Sequence, residues 1–143
     1  MLFDTNVILD AVLDRRPWAT EARKLLDGAA GGAVEGFVAG HAITAIHHVV
    51  EREVSMVAAA TAVADILTVL EVVALGHAGF ERALSMRLAD FEDSLQVSAA
   101  LVAGADYIVT RNAADFRGTP VPTRPPGALL ATLAASGYLP GER

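Results

Sequence analysis

One stretch of the sequence, residues 88–116, constrains the fold more than any other. It reads LADFEDSLQVSAALVAGADYIVTRNAADF: acidic residues, an apolar helical run ending at Gly104, a short strand and a polar loop. A helix and a strand in such close succession are typical of parallel α/β folds, in which the carboxyl ends of the strands share one edge of the sheet. Acids before the helix and acids after the strand can therefore meet at that edge.

Strands alternate with helices along the rest of the chain. We predict strands at 1–3, 35–39, 71–74 and 107–109, an edge strand around Val121, and helices at 6–13, 18–30, 42–53, 56–70, 77–88, 93–103 and 128–136. This alternation predicts a parallel sheet of four or five strands with helices on both faces. A length of 143 residues fits a single domain, 1–143.

Three acids can be brought to the same edge of the predicted sheet. Asp4 follows the first strand, Asp93 opens a helix, and Asp115 follows the strand at 107–109. Carboxylates brought together repel one another, and burying unpaired charges is costly, so a divalent cation would stabilise the group. Oxygen ligands in a chain without cysteine favour Mg²⁺ or Mn²⁺.

Each of these acids also has a simpler explanation. Asp90 and Asp93 are spaced as the N-cap and N3 residues of a helix, and Asp4 could cap the first helix. Capping becomes the weaker account when three acids stand at three strand ends. His41, His47 and His48 form no complete metal-binding set, because their segment supplies no carboxylate or cysteine at the right spacing. Trp18 is expected to pack into the core.

Composition limits the partners. The net charge is −6, which argues weakly against broad attraction to nucleic acid, although a metal ion would neutralise the clustered acids. Arginine suits phosphate through its forked guanidinium. The arginines expected to rim the site are Arg15, Arg16, Arg111, Arg117 and Arg124. No signal peptide or membrane span is readable, and the absence of cysteine fits a reducing compartment, so we expect a cytoplasmic protein without membrane attachment.

Three segments together resemble a known family. DTNVILDAVLDRRP, DFEDSLQVSAALVAGADYIVTRNAADF and GTPVPTRPP are similar to the PIN domain, especially to the branch of VapC-type ribonuclease toxins of prokaryotic toxin–antitoxin pairs. The resemblance implies an α/β/α sandwich of three layers, metal-dependent endoribonuclease activity on RNA, and in many members a homodimer inhibited by a small antitoxin. Apolar helices between residues 42 and 70 offer a face for such partners.

The resemblance also assigns roles to residues. By position, Asp4, Asp93 and Asp115 match the metal-holding acids of the family, and Asp90 is near enough in sequence to orient water. The polar residues that match the supporting set are Thr5, Asn6, Thr110 and Asn112, with Arg111 beside them to bind substrate. Because Asp90 and Asp93 would share one side of a helical turn, we expect Asp4, Asp90, Asp93 and Asp115 around one cavity, with Glu92 pointing elsewhere.

One departure from the family pattern leaves an alternative open. Many members carry a glutamate in the helix after the second strand, but here the segment reads GHAITAIHHVVER and Ala45 or a close neighbour takes its place. The alternative is a catalytically silent PIN-like module that binds RNA or protein. A phosphotransfer receiver and a dehalogenase-like phosphatase are disfavoured, because Lys24 is the only lysine and no D-x-D follows the first strand.

Overall fold

The computed structural model describes residues 1–138. In this part of the chain, short strands alternate with helices. The strands are β1 Leu2–Phe3, β2 Phe37–Ala39, β3 Glu71–Val73, β4 Ile108–Val109 and β5 Thr123–Arg124. The helices are α1 Thr5–Val12, α2 Ala19–Ala30, α3 Gly40–Glu53, α4 Met56–Val69, α5 His77–Met86, α6 Phe91–Ala103 and α7 Pro126–Ala135, with a short 3₁₀ helix at Ala113–Phe116.

The strands form one parallel sheet in the order β3-β2-β1-β4-β5. Strand β1 lies at the centre, where Leu2 pairs with Phe37 of β2 and with Ile108 of β4. The chain adds strands on one side of β1 up to β3 and on the other side from β4 onward. The order therefore reverses between β1 and β4, and the crevice beyond the carboxyl ends of these two strands is where open α/β sheets bind ligands.

Helices cover both faces of the sheet, as the sequence predicts. Helix α6 packs against β1, β2, β3 and β4 and carries α5 on its outer side. The helices α1, α2, α3, α4 and α7 contact one another in the second helical layer. The core between the layers is apolar, and Leu2, Phe3, Val38, Ile108 and Val109 are fully buried. The predicted three-layer α/β/α sandwich with a parallel sheet is confirmed.

Helix α6 has a deeply buried central segment. Seven consecutive residues, 94–100, are buried, because α6 lies between the sheet and α5. Ser98 is satisfied there by donating a hydrogen bond to the carbonyl oxygen of Gly79, at 2.7 Å. The helix ends at Gly104, whose φ of +66° is readily accessible only to glycine.

Several predicted boundaries were wrong. Helix α6 begins at Phe91 rather than residue 93, because Asp90 is its N-cap. The edge strand lies at Thr123–Arg124; Val121 precedes it, buried, and Pro122 supplies only a carbonyl, which accepts the N–H of Ile108 at 3.0 Å. The 3₁₀ helix was not predicted. Residues 139–143 of the predicted domain lie outside the described part. Within residues 1–138, no helix is long and apolar enough to cross a membrane.

Candidate active site

Asp4 stands at the centre of the crevice between β1 and β4. It is 6% exposed, and its N–H donates to the carbonyl oxygen of Val109 at 2.9 Å. The hydroxyl of Thr110 donates to Asp4 Oδ2 at 2.8 Å, and the N–H of Asn112 donates to that hydroxyl oxygen at 3.1 Å. Although Asp4 is the N-cap residue of α1, its side chain makes no capping hydrogen bond. Helix capping therefore does not explain this carboxylate.

Electrostatics link Asp4 to acids from two other elements. Burial raises the pKa of Asp4, the hydrogen bond from Thr110 opposes that rise, and the charges of Glu92 and Asp115 add to it. The pKa of Asp93 is raised to about 7, first by desolvation and then by the charges of Asp90, Asp4, Asp115 and Glu92. The start of α6 and the 3₁₀ helix thus bring their carboxylates towards Asp4.

Asp93 and Asp115 differ from Asp4 in exposure. Asp93, in the first turn of α6, is partly buried, whereas Asp115, in the 3₁₀ helix, is exposed. The N–H of Asp115 donates to the carbonyl oxygen of Asn112 at 3.0 Å, which holds this turn beside Thr110. The site is therefore open to solvent on the side of the 3₁₀ helix and closed on the side of the sheet.

Glu92 belongs to the acidic group, and the expectation that it points elsewhere was wrong. Its Oε1 accepts a hydrogen bond from Thr5 Oγ1 at 3.4 Å, and its charge raises the pKa of both Asp4 and Asp93. The reason is the earlier start of α6, which places Glu92 and Asp93 together in the first helical turn. The adjacent acids Glu92 and Asp93 are visible in the sequence, but predicting the direction of the Glu92 side chain requires the correct start of the helix.

A buried amide group, that of Gln96, holds Glu92 indirectly through Thr5. Gln96 is fully buried on α6, and its Nε2 donates to Thr5 Oγ1 at 3.0 Å. Thr5 in turn donates its hydroxyl proton to Glu92. Gln96 and Thr5 thus orient Glu92 as Asn112 and Thr110 orient Asp4. Sequence analysis included Thr5 in the supporting set but missed Gln96, which lies one turn after Asp93 and on the side facing the sheet.

Asp90 has a structural role that the structure shows directly. Its Oδ1 accepts the N–H of Glu92 at 2.8 Å, so its side chain caps α6. Its charge contributes to the raised pKa of Asp93, but it is not among the charges that shift the pKa of Asp4. Asp90 therefore sits at the margin of the acidic group, on the side of Asp93.

The three histidines of α3, the helix that lacks the expected glutamate, lie in two different surroundings. His41 lies at the start of α3, and its pKa is lowered by burial while the charge of Glu92 opposes that change. His47 and His48, farther along α3, line a different cavity with Glu51, and His47 Nδ1 lies 3.5 Å from Glu51 Oε2. Of these three histidines, His41 is therefore the one that interacts electrostatically with the acidic group.

Arg111 is engaged by protein groups. Its Nε and Nη2 donate to the buried Asp10 at 2.8 and 3.3 Å, and its guanidinium lies 3.9 Å from the ring centre of Trp18. Trp18 is 43% exposed, so its expected place in the core was wrong. Asp10, which sequence analysis did not single out, follows Asp4 in α1 and ties the loop after β4 to that helix. Asn6 is exposed in the first turn of α1.

The donor chemistry of the site fits a hard divalent cation. Its facing groups are carboxylate oxygens of like charge, and no described arginine or lysine forms an ion pair with Asp4, Glu92, Asp93 or Asp115. Within residues 1–138, however, no three acidic or histidine side chains stand close enough together to hold an ion as they are placed. Binding a cation would therefore require these carboxylates to approach one another.

The sandwich, with its reversal of strand order beside Asp4 and further acids facing that residue, defines an α/β protein with a candidate ligand site in the crevice. The family model of the PIN domain matches residues 1–114. The chain belongs to the PIN domain family. No curated protein sequence matches it significantly.

Two solved structures share the fold. One is a toxin–antitoxin complex from Klebsiella pneumoniae, with 20% sequence identity and a TM-score of 0.66 over 87% of this chain and 96% of that chain. The other is VapBC2 from Rickettsia felis bound to a DNA fragment from their promoter, with 15% identity and a TM-score of 0.67 over the same shares. At these identities the likeness establishes the fold.

Proposed function

We propose that this PIN domain protein is a metal-dependent endoribonuclease, the toxin of a toxin–antitoxin pair, which hydrolyses phosphodiester bonds of RNA. The observation that carries the proposal is the buried Asp4 at the β1–β4 crevice, within electrostatic reach of Asp93 and Asp115. Like-charged carboxylates of this kind are stabilised by a divalent cation. The solved structures of similar fold include a toxin–antitoxin complex and VapBC2.

In this proposal Asp4, Asp93 and Asp115 hold Mg²⁺ or Mn²⁺. The chemistry that such an ion supplies is activation of water and neutralisation of charge on the phosphate. Thr110 and Asn112 keep the Asp4 carboxylate turned towards the crevice through the two hydrogen bonds described above. Asp90 and Glu92 orient water beside Asp93, and Gln96 holds Glu92 in place through Thr5.

Substrate binding is assigned to polar groups around the open side of the site. Asn6, Arg111 and Asn112 lie at the ends of β1 and β4. Arg111 is partly committed to Asp10, so Arg117 is a stronger phosphate contact: it is exposed just after the 3₁₀ helix and forms no ion pair with a described residue.

The experiment compares purified protein with Asp4→Asn and Asp93→Asn variants on structured and single-stranded RNAs in Mg²⁺ or Mn²⁺. We expect internal cleavage by the parent and at least a hundred-fold loss, roughly, in each variant. Asp106→Asn is the matched control, because Asp106 is exposed and precedes β4 at the opposite edge of the sheet. If the parent cleaves no RNA at any metal concentration, the proposed endoribonuclease activity is refuted.

The alternative function is a silent module that binds RNA or protein, and the missing glutamate in α3 motivates it. No residue of GHAITAIHHVVER is among the charges that shift the pKa of Asp4 or Asp93, and His41 interacts with Glu92 alone among these acids. Glu92 of α6 supplies an acid where α3 lacks one, which favours the nuclease hypothesis over the silent module. RNA binding without cleavage, measured in the same metal titration, would favour the silent module.

A groove between the helices supports the proposed antitoxin partner. It has a volume of about 440 Å³ and lies among α1, α2, α3 and α4. Its lining is Ile8, Val12, Leu13, Leu26, Val50, Val54, Ala58, Thr61, Ala62, Asp65, Ile66, Val69 and Leu70. A groove with one acid among apolar side chains suits an amphipathic segment that carries apolar anchors and one basic residue. We assign this groove to the antitoxin.

A second copy of the chain is also proposed as a partner. Met56 and Leu67 of α4 are 66% and 55% exposed and lie on a different side of the helix from the groove. Sedimentation at micromolar concentration tests the homodimer: Met56→Lys should yield monomer if this face is the interface. If the parent protein sediments as a monomer, the proposed homodimer is wrong.

We place the protein in the cytoplasm, where an RNA substrate is available.

A further inference from the structure

A cavity of about 310 Å³ lies beyond the carboxyl ends of β2 and β3, at the same edge of the sheet as the acidic group. Its lining residues are Gly40, His41, Val73, Ala74, Leu75 and Phe80. The volume is at the lower end of the range for small-ligand pockets. The cavity is separate from the apolar groove, since the two share no lining residue.

Two of the lining side chains have unused binding capacity. Phe80 is apolar and yet 43% exposed, although it sits on α5 beside buried Gly79. His41 Nε2 is buried without a hydrogen-bond partner among the described residues. An exposed aromatic ring can stack on a flat heteroaromatic group, and the unpaired Nε2 can hydrogen-bond to the edge of that group once the His41 ring turns towards the cavity.

His41 connects the cavity with the acidic group. It lines the cavity and interacts electrostatically with Glu92, which in turn acts on Asp4 and Asp93. Because neighbouring strands are about 4.8 Å apart, the end of β3 lies roughly 10 Å from the end of β1. A base can therefore reach the cavity from a nucleotide whose phosphate lies over the site.

We propose that this cavity is a nucleotide subsite, in which Phe80 stacks on an unpaired base flanking the scissile phosphate and His41 hydrogen-bonds to that base's edge. The proposal rests on the proposed function and narrows its substrate to single-stranded RNA. A base inside a duplex is stacked on both faces and is not free to enter the cavity.

The test uses a short single-stranded RNA with 2-aminopurine placed at successive positions, titrated with the full-length protein in Ca²⁺ while gels verify that the RNA stays intact. We expect quenching at a defined position on binding. Phe80→Ala should remove the quenching and weaken binding about 5- to 150-fold. Phe80→Trp should keep both, and Phe80→Leu, which remains apolar but cannot stack, should behave like Phe80→Ala.

Leu84→Ala is the matched control, because Leu84 lies one turn farther along α5, is 67% exposed and does not line the cavity. It should bind RNA like the parent. His41→Leu should alter the order of affinities among RNAs that differ only in the flanking base. Circular dichroism establishes that each variant is folded before its binding is compared.

The outcomes separate this inference from the proposed nuclease activity. If Phe80→Ala and Phe80→Leu bind and quench like the parent, the cavity takes no base, whether or not the parent cleaves RNA. If the parent shows Phe80-dependent binding of single-stranded RNA but no cleavage in Mg²⁺ or Mn²⁺, the subsite stands and the nuclease proposal fails. Equal affinity of the parent for duplex and single-stranded RNA would also overturn the inference.

Discussion

Asp93 is the residue at which the conflict between burial and charge is sharpest. Its pKa is about 7 in the folded protein against an ordinary value of 3.8, mainly because of desolvation. Between these pH values the folded state binds more protons at Asp93 than the unfolded state does. The contribution of Asp93 to stability therefore falls as pH rises from about 4 to about 7, in the absence of metal.

The resulting prediction concerns Asp93→Asn in metal-free protein. At pH 8 the variant should melt about 2–4 °C above the parent, a modest shift because Asp93 is partly exposed and solvent screens its repulsion. At pH 5 the difference should be smaller, because about two thirds of the stability lost between pH 4 and pH 7 is lost above pH 5. Thermal melts at both pH values, with and without Mn²⁺, measure this. Mn²⁺ should stabilise the parent more than the variant, and an equal melting difference at both pH values would contradict the account.

Asp10 is a second residue with a clear energetic role. It is 1% exposed and bonded to Arg111, with Arg15 Nη1 3.8 Å away. Asp10→Ala leaves the Arg111 guanidinium without its carboxylate, but Arg111 is partly exposed and stacks on Trp18. We expect a loss of about 1–3 kcal/mol in the free energy of unfolding, measured by urea denaturation.

Glu81→Ala is the control for Asp10→Ala. Glu81 Oε1 lies 3.1 Å from His77 Nε2 in an exposed i,i+4 pair. Such a pair contributes at most about 0.5 kcal/mol. Equal losses in the two variants would mean that Asp10 and Arg111 contribute no more than a surface pair.

At this scale, the sequence predicted part of the acidic group. Asp4, Asp93 and Asp115 follow from their positions relative to strands and from the family resemblance, and their electrostatic proximity agrees with that expectation. Glu92 and Gln96 could not be placed, because the direction of a side chain in the first turn of α6 changes by about 100° with each residue of shift in the helix start. Their ligand roles remain predictions.

Helix α6 carries the next prediction, because its first turn holds both a cap and two acids of the site. Asp90→Ala removes the acceptor of the Glu92 N–H and should lower the free energy of unfolding by about 1 kcal/mol. Asp90→Asn keeps a capping oxygen and should lose much less, while removing the charge next to Asp93. Chemical denaturation of the two variants separates the cap from the charge.

Calorimetry with Mn²⁺ then tests whether the charge of Asp90 matters to the site. Asp90→Asn should bind Mn²⁺ more weakly than the parent, because one negative charge near Asp93 is lost. Asp93→Asn should abolish binding. If Asp90→Asn binds Mn²⁺ as the parent does and cleaves RNA at the same rate, Asp90 is only a helix cap.

At the scale of elements, periodicity and turn residues predicted the strands and helices, while their ends depended on local chemistry. The start of α6 follows from the Asp90 cap, and the position of β5 follows from Pro122, which has no N–H to give. The 3₁₀ helix at Ala113–Phe116 escaped prediction because four residues are too few to show a period.

For the whole molecule, the apolar excess between residues 42 and 70 predicted a face for partners, and the structure has an apolar groove to which these residues contribute. Thirteen residues from four helices and their C-terminal ends line it, and no one helix supplies them all. The groove is therefore a property of the packed helices, and its shape could not be derived from periodicity in any one helix. Its occupant remains a proposal.

Ala58 offers a way to test the groove without altering the acidic site. It lines the groove on α4 and is partly buried, so Ala58→Arg places a long cation where an apolar anchor would bind. Ala64→Arg is the matched control, because Ala64 is exposed on the same helix and does not line the groove. Both variants should cleave RNA like the parent, since neither residue lies near Asp4.

If the proposed toxin function and the assignment of the groove are right, Ala58→Arg should escape inhibition by the antitoxin. Co-expressed with an antitoxin that binds and neutralises the parent, the parent and Ala64→Arg should allow growth and elute as complexes in size-exclusion chromatography. Ala58→Arg should arrest growth and elute without the partner, while Ala58→Arg combined with Asp93→Asn should allow growth because the activity is lost. If Ala58→Arg is neutralised as fully as the parent, the antitoxin binds elsewhere and the assignment of the groove is wrong.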